Sequence, residues 1–186
     1  MKELIFNEQE LIDQCLRNNR QAQELLFSNH YDDLYALAMR YLSDHHDTED
    51  AIICSFTRVY KSLNGFTYQG KGSLGKWIRT ILINESLRIL KKRNVLSFEN
   101  DTIEMDIRSV QPDGLQQLGN ADIIRMIEQL PDGYRTVFNL FIIEGYSHKE
   151  IASMLGISEN TSKSQLSKAR NQLIEKLEGN RSYGTI

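Results

Sequence analysis

Residues 147–173 read SHKEIASMLGISENTSKSQLSKARNQL, and their spacing decides the fold of the second half of the chain. Ser147 and Glu150 stand three apart as a capping box, which predicts a short helix from Lys149 to Leu155 with Ile151, Ala152 and Leu155 inward. Gly156-Ile157-Ser158 supplies a tight turn, with Ile157 plugging the core beneath it and Ser158 capping a second helix that runs to about Leu177. Two helices that cross steeply need a small residue at the contact, and Ala152 provides one. The pattern is that of a helix-turn-helix. Leu166, Ala169 and Leu173 face inward on the second helix; Glu159, Asn160, Thr161, Lys163, Ser164, Gln165, Lys168 and Arg170 are expected to face outward. Together with Ser158, these outward side chains are suited to base edges and phosphates in a major groove. An ordinary two-helix corner needs no such polar, basic front.

Working outward, Ala121 to Leu130 carries Ile123, Ile124, Ile127 and Leu130 on one face, and Pro131 can open the helix that runs on to a stop near Gly145. The amino-terminal half repeats the helical period in longer units. These are predicted over Gln21 to Leu42, over Thr48 to Leu63 with Asp47 and Thr48 as caps, and over about Ser73 to Arg93. No segment alternates for long enough to predict a strand. The expectation is an all-α chain of two small helical domains, residues 1–94 and 121–178, with a tail at 179–186. Residues 95–120 hold five acids, one base, Pro112 and two glycines, the composition of a flexible acidic linker.

The 186 residues carry 22 Lys plus Arg against 25 Asp plus Glu, a net charge of −3 that argues superficially against nucleic acid. Segment by segment, residues 1–94 hold 13 bases and 12 acids, 95–120 hold 1 and 5, and 121–186 hold 8 and 8. The deficit belongs to the linker. Within the first segment, Lys71, Lys76, Arg79, Arg88, Lys91, Lys92 and Arg93 are seven bases with Glu85 as the single acid among them. Phe66, Tyr68 and Trp77 lie beside or within this cluster. Cations that follow a backbone, next to rings on which bases stack, suit unpaired nucleic acid. Trp77 taken alone reads more readily as a core residue. No apolar run reaches the roughly 18 residues that span a bilayer. The polar start MKELIFNEQE predicts no secretory signal, and Cys15 and Cys54 read as reduced thiols of a cytosolic protein.

In these motifs the chain resembles a bacterial extracytoplasmic-function (ECF) sigma factor of the sigma-70 family. Ala22 to Arg93, with Tyr35, Tyr41-Leu42, Asp47-Thr48-Glu49-Asp50, Phe56 and Trp77 to Ile81, resembles sigma region 2; Leu130 to Leu173 resembles region 4. The resemblance implies a promoter-specificity subunit of RNA polymerase, with no catalytic site and no cofactor. It implies that region 2 docks on the clamp of the largest polymerase subunit through Asp47, Glu49, Asp50 and Phe56. Region 2 would also open and read the −10 element, with Asn84 at the base-contacting position and Asn64 to Ser73 as the loop that captures a flipped base. Region 4 would read the −35 element and touch the flap of the second subunit. An anti-sigma factor is a further implied partner. Ile53-Cys54, Ser162 and Gln165 depart from the family pattern.

Two rival readings come from the residues themselves. Gly70 to Lys76 satisfies G-x-x-x-x-G-K, the phosphate-loop core, but Trp77 stands where a Ser or Thr should reach Mg²⁺. The other rival is a free regulator that uses the helix-turn-helix alone behind a helical sensor domain. His45 and His46 are adjacent and lack a cysteine pair, so no metal site is expected.

Overall fold

The computed structural model describes residues 7–93 and 125–182, and side chains within these spans up to Leu177. The expected linker, the domain limits drawn at its ends and residues 183–186 lie outside the described residues. Among the described residues all regular structure is helical, as the periodicity requires. The chain divides into two compact units, Met1–Ile89 and Leu90–Ile186.

The first unit is built from α1 (Glu8–Leu16), α2 (Arg20–Leu42), α3 (His45–Ser62), a short 3-10 turn (Leu63–Gly65) and α4 (Ser73–Lys92), whose last three residues run past the division at Leu90. α1 was not legible in the periodicity; Asn7 and Glu10 start it with a reciprocal capping box. α2 ends where Ser43 turns left-handed at φ 50°, and Asp44 caps α3 by accepting the Asp47 N–H at 2.9 Å. The expected caps Asp47 and Thr48 are therefore wrong by one turn: Asp47 receives the cap, and Thr48 is buried. Leu26, Leu34, Leu37, Ala38 and Tyr41 of α2 meet Ala51, Ile52, Phe56 and Val59 of α3 in the core. Tyr60 adds a tie by donating to the Gln23 carbonyl at 2.9 Å. Leu74, Ile78, Leu82, Ile83, Leu87 and Leu90 are the buried stripe of α4.

The second unit holds helical residues 125–128, then α5 (Asp132–Phe138), a π-helical segment (Asn139–Ile143), α6 (His148–Leu155) and α7 (Glu159–Ser182). Gly145 at φ 78° closes the π segment, as the sequence predicts for a stop there. Arg135 is buried beneath the turn before α5. It donates to the Glu128 and Leu130 carbonyls at 3.0 and 2.8 Å and pairs with Asp132. Burial lowers its pKa, and the Asp132 and Glu128 charges oppose that shift. The predicted capping box is present: Glu150 N–H meets Ser147 Oγ, and Glu150 Oε2 accepts from Ser147 N–H at 2.8 Å. Gly156, at φ 73°, makes the turn that a side chain would strain, and Ile157 N–H bonds back to Ala152 O at 3.1 Å.

Candidate nucleic-acid interface

The loop between α3 and α4 forms the wall of an open cavity of about 380 Å³ lined by Phe66, Gln69, Ser73, Lys76, Trp77 and Thr80 among others. Phe66 and Trp77 lie with ring centroids 4.9 Å apart and planes tilted by 36°. Trp77, expected in the core, is only half-buried; its neighbour Ile78 takes the core position instead. Tyr68, Lys71 and Lys76 are exposed on the same loop and helix start. The cavity thus offers π faces, a cation and hydroxyls, the equipment for an unpaired base and its phosphate.

One face of α4 runs Lys76, Thr80, Asn84, Arg88 at steps of four, all exposed. Asn84 also borders a second cavity of about 390 Å³ with Ile81 and with Arg58, Lys61 and Ser62 of α3. Arg58 and Lys61 were missed in the sequence because they lie outside the cluster from 71 to 93; only the packing of α3 on α4 brings them beside Asn84. Arg88 is not the free cation expected of it. Glu85, 1% exposed, accepts from Arg88 Nε at 2.9 Å and lies 3.0 Å from Arg58 Nη2. The hydrogen bond to Glu85 is the main cause that raises the Arg88 pKa, followed by the Glu85 charge. Arg79 is half-buried, while Lys91, Lys92 and Arg93 are exposed at the end of α4.

At the start of α3, Glu49 and Asp50 are exposed and Asp47 half-buried. Phe56, expected on that docking face, is 3% exposed. The correction has a simple cause: its ring fills the α2–α3 core against Phe27, with centroids 4.7 Å apart. The exposed apolar group on this face is instead Ile53, at 60% exposure, next to exposed Cys54.

On α7, Glu159, Asn160, Lys163 and Arg170 are exposed, and Thr161 and Lys168 are partly so. Ser158 sits at the helix start, where its Oγ accepts the Thr161 N–H at 2.9 Å. Two residues expected outward are buried. Gln165, 2% exposed, lies about 40° from Ala169 in helical angle and so shares the inward face of Ala169 and Ser162. Ser164 turns its hydroxyl back to the Thr161 carbonyl at 3.0 Å, as a short side chain can. The Ser162 departure also finds its reason. Its buried hydroxyl lies 2.9 Å from His148 Nδ1, and His148 stacks on Phe141 with centroids 4.3 Å apart. Burial, then the Lys163 and Arg170 charges, hold the His148 pKa below its ordinary 6.5.

The Gly70–Lys76 run is no nucleotide loop. Two of its amides are already taken by a carboxylate, Glu8, which accepts from Gly72 N–H at 2.7 Å and from Leu74 N–H at 2.9 Å. An anion held there repels the phosphate such a loop would cradle.

Comparison with known proteins gives the class. Residues 26–95 match Sigma-70 region 2, and residues 120–173 match Sigma-70 region 4. The ECF RNA polymerase sigma factor SigE of Mycolicibacterium smegmatis is 29% identical over 80% of this chain, which spans 58% of that relative's length. The RNA polymerase sigma-H factor of Pseudomonas aeruginosa is 25% identical over 92% of this chain and 94% of its own. Among solved structures, the sigma factor RpoE of Bartonella quintana, in complex with the anti-sigma factor NepR, aligns with a TM-score of 0.51 at 24% identity, over 83% of this chain and 96% of that one. The chain belongs to the sigma-70 family and is an ECF RNA polymerase sigma factor, a protein that directs promoter-specific transcription.

Proposed function

We propose that the chain divides promoter recognition between its two units, one for melted DNA and one for duplex. The loop from Asn64 to Ser73 and the first turns of α4 capture an unpaired base of the −10 element. Phe66, Tyr68 and Trp77 supply stacking surfaces; Lys71, Lys76, Arg79, Lys91, Lys92 and Arg93 supply backbone charge; Asn84 reads an edge. Lys61 extends that charged rim around Asn84, while Arg58 and Arg88, which share the buried Glu85, add one net positive charge between them. In the second unit, Ser158, Glu159, Asn160, Thr161, Lys163, Lys168 and Arg170 face the −35 major groove. The observation that carries this reading is the open cavity lined by the contacting Phe66 and Trp77 rings together with Lys76, on the exposed Lys76–Asn84 side of α4.

The acidic start of α3, with Glu49, Asp50 and the exposed Ile53, is the surface offered to the polymerase clamp; region 4 contacts the flap. The division of labour requires no reaction catalysed by the chain itself, so the protein acts as a specificity subunit rather than an enzyme, in the cytoplasm. No helix among the described residues is long and apolar enough to cross a membrane. An anti-sigma factor is the regulatory partner that the family resemblance leads us to expect. Binding measurements with core polymerase from the source bacterium test the reading. Tight association with core, together with weak duplex binding by the free chain, supports it. A chain that ignores core and binds a duplex operator by itself is a free regulator, and the reading fails.

A further inference from the structure

Glu8 begins α1, and 64 residues separate it from Gly72, whose N–H it accepts at 2.7 Å. Its second oxygen accepts the Leu74 N–H at 2.9 Å. Both donors lie at the start of α4, where backbone N–H groups have no partner inside the helix and the helix dipole favours a negative charge. Gly70 and Gly72 adopt φ of 102° and 86°, a conformation that a side chain would strain. The same loop closes on itself through Gln69 N–H to Ser73 Oγ at 3.2 Å and Ser73 N–H to Gly70 O at 3.0 Å. His30 of α2 covers the first turn of α4: a Cβ added at Gly75 would stand 3.4 Å from its ring. One end of the loop is therefore fixed from α1 and α2, while its other side carries Gln69, Ser73, Lys76 and Trp77 around the cavity.

We propose that Glu8 is a positioning residue for the strand-capturing loop: it never touches DNA, but its carboxylate sets the loop in the shape the base enters. The inference rests on the reading of that cavity as the site of an unpaired base. Two charge-assisted hydrogen bonds from a helix distant in sequence remove the ordering that DNA would otherwise have to supply. Without them the loop samples several shapes, and apparent affinity falls in proportion to the competent fraction; if about a tenth remains competent, capture weakens about tenfold.

The test uses the full chain with core polymerase, on promoters that the wild-type holoenzyme transcribes from fragments of the source genome. Permanganate reactivity of unpaired thymines reads opening, titration reads core affinity, and amide hydrogen exchange of the free chain reads Gly72 and Leu74. Glu8→Ala should keep core affinity, lower the fraction of open promoter about tenfold, and speed exchange at the two amides. Glu8→Gln keeps one oxygen acceptor and should fall between. A merely structural role would instead lower core affinity and opening together, which overturns the proposal. Opening equal to wild type overturns it too. Opening stronger than wild type means Glu8 competes with a DNA phosphate for the loop, and also overturns it. If Phe66→Ala opens the same promoters as fully as wild type, the reading of the cavity fails and the inference with it, so the two failures are distinct.

Discussion

Lys163 and Arg170 give the most quantitative test of how α7 meets DNA. Both are exposed, and seven residues separate them, so they stand on the same side of the helix about 10 Å apart. Neither makes an ion pair among the described residues, and both lie close enough to His148 to lower its pKa. If each neutralises one phosphate, each contributes about 0.9 to the slope of log affinity against log salt. A fourfold rise in salt, from about 50 to 200 mM, then costs about 3.5-fold in affinity per contact, or about twelvefold for the pair. The Lys163→Ala, Arg170→Ala double variant should therefore bind −35 duplex more weakly at low salt, and its deficit should shrink about twelvefold across that range. Fluorescence anisotropy of labelled duplex with holoenzyme, titrated at several salt concentrations, measures both slopes. Lys176 is the control: its ammonium donates to Gln129 Oε1 at 2.8 Å, and Lys176→Ala should leave the slope unchanged. Parallel lines for the double variant and wild type would refute the phosphate contacts, however much affinity is lost.

Three further predictions address other parts of the molecule. Asn84→Ala should impair open-complex formation by several-fold while core binding stays at the wild-type level, because Asn84 is exposed beside Arg58 and Lys61 and supports no core packing; equal loss of both would indicate misfolding. Arg135→Met leaves two carbonyls and Asp132 without their donor and should destabilise the second unit by about 3–5 kcal/mol. Trp77, the sole tryptophan, reports the first unit, so the helical transition by circular dichroism should shift while the Trp77 fluorescence transition stays in place. For His148, a folded-state pKa below 6.5 means the unfolded chain binds the proton more readily. Its contribution is complete above pH 6.5 and is lost as pH falls through the folded value, so the second unit should melt at lower temperature in that window. His148→Gln should flatten that dependence in thermal melts taken against pH.

What the sequence discloses follows the range of each interaction. The capping box Ser147–Glu150, the turn at Gly156 and the stripe of α4 are local, set within four residues, and the structure has them where the spacing puts them. The cap of α3 was ambiguous because Asp44, Asp47 and Asp50 recur every three residues; the left-handed turn at Ser43 decides it in favour of Asp44. Phe56 belongs to both a core stripe and a family motif, and packing against Phe27 makes it core. Gln165 is polar, so composition placed it outside, whereas helical angle places it beside Ala169. Glu8 could not be read at all, since nothing in α1 points to a loop 64 residues away. The same holds for Glu85, whose burial between Arg58 and Arg88 takes one of the expected DNA cations into an ion pair. Ser162 looked like a defect in the family pattern until His148 supplied its partner.

The central claim is that this chain gives a polymerase its promoters through two separate readers. Run-off transcription from fragments of the source genome, with core polymerase in the presence and absence of the chain, tests it most directly. The account predicts transcripts only when the chain is present, with start sites preceded by one shared pair of −10 and −35 sequences. Loss of the −10 signature alone should follow Asn84→Ala, whereas the Lys163→Ala, Arg170→Ala double variant, which removes phosphate contacts, should lower transcript yield with both signatures unchanged. Start sites indistinguishable from those of core polymerase alone would contradict it.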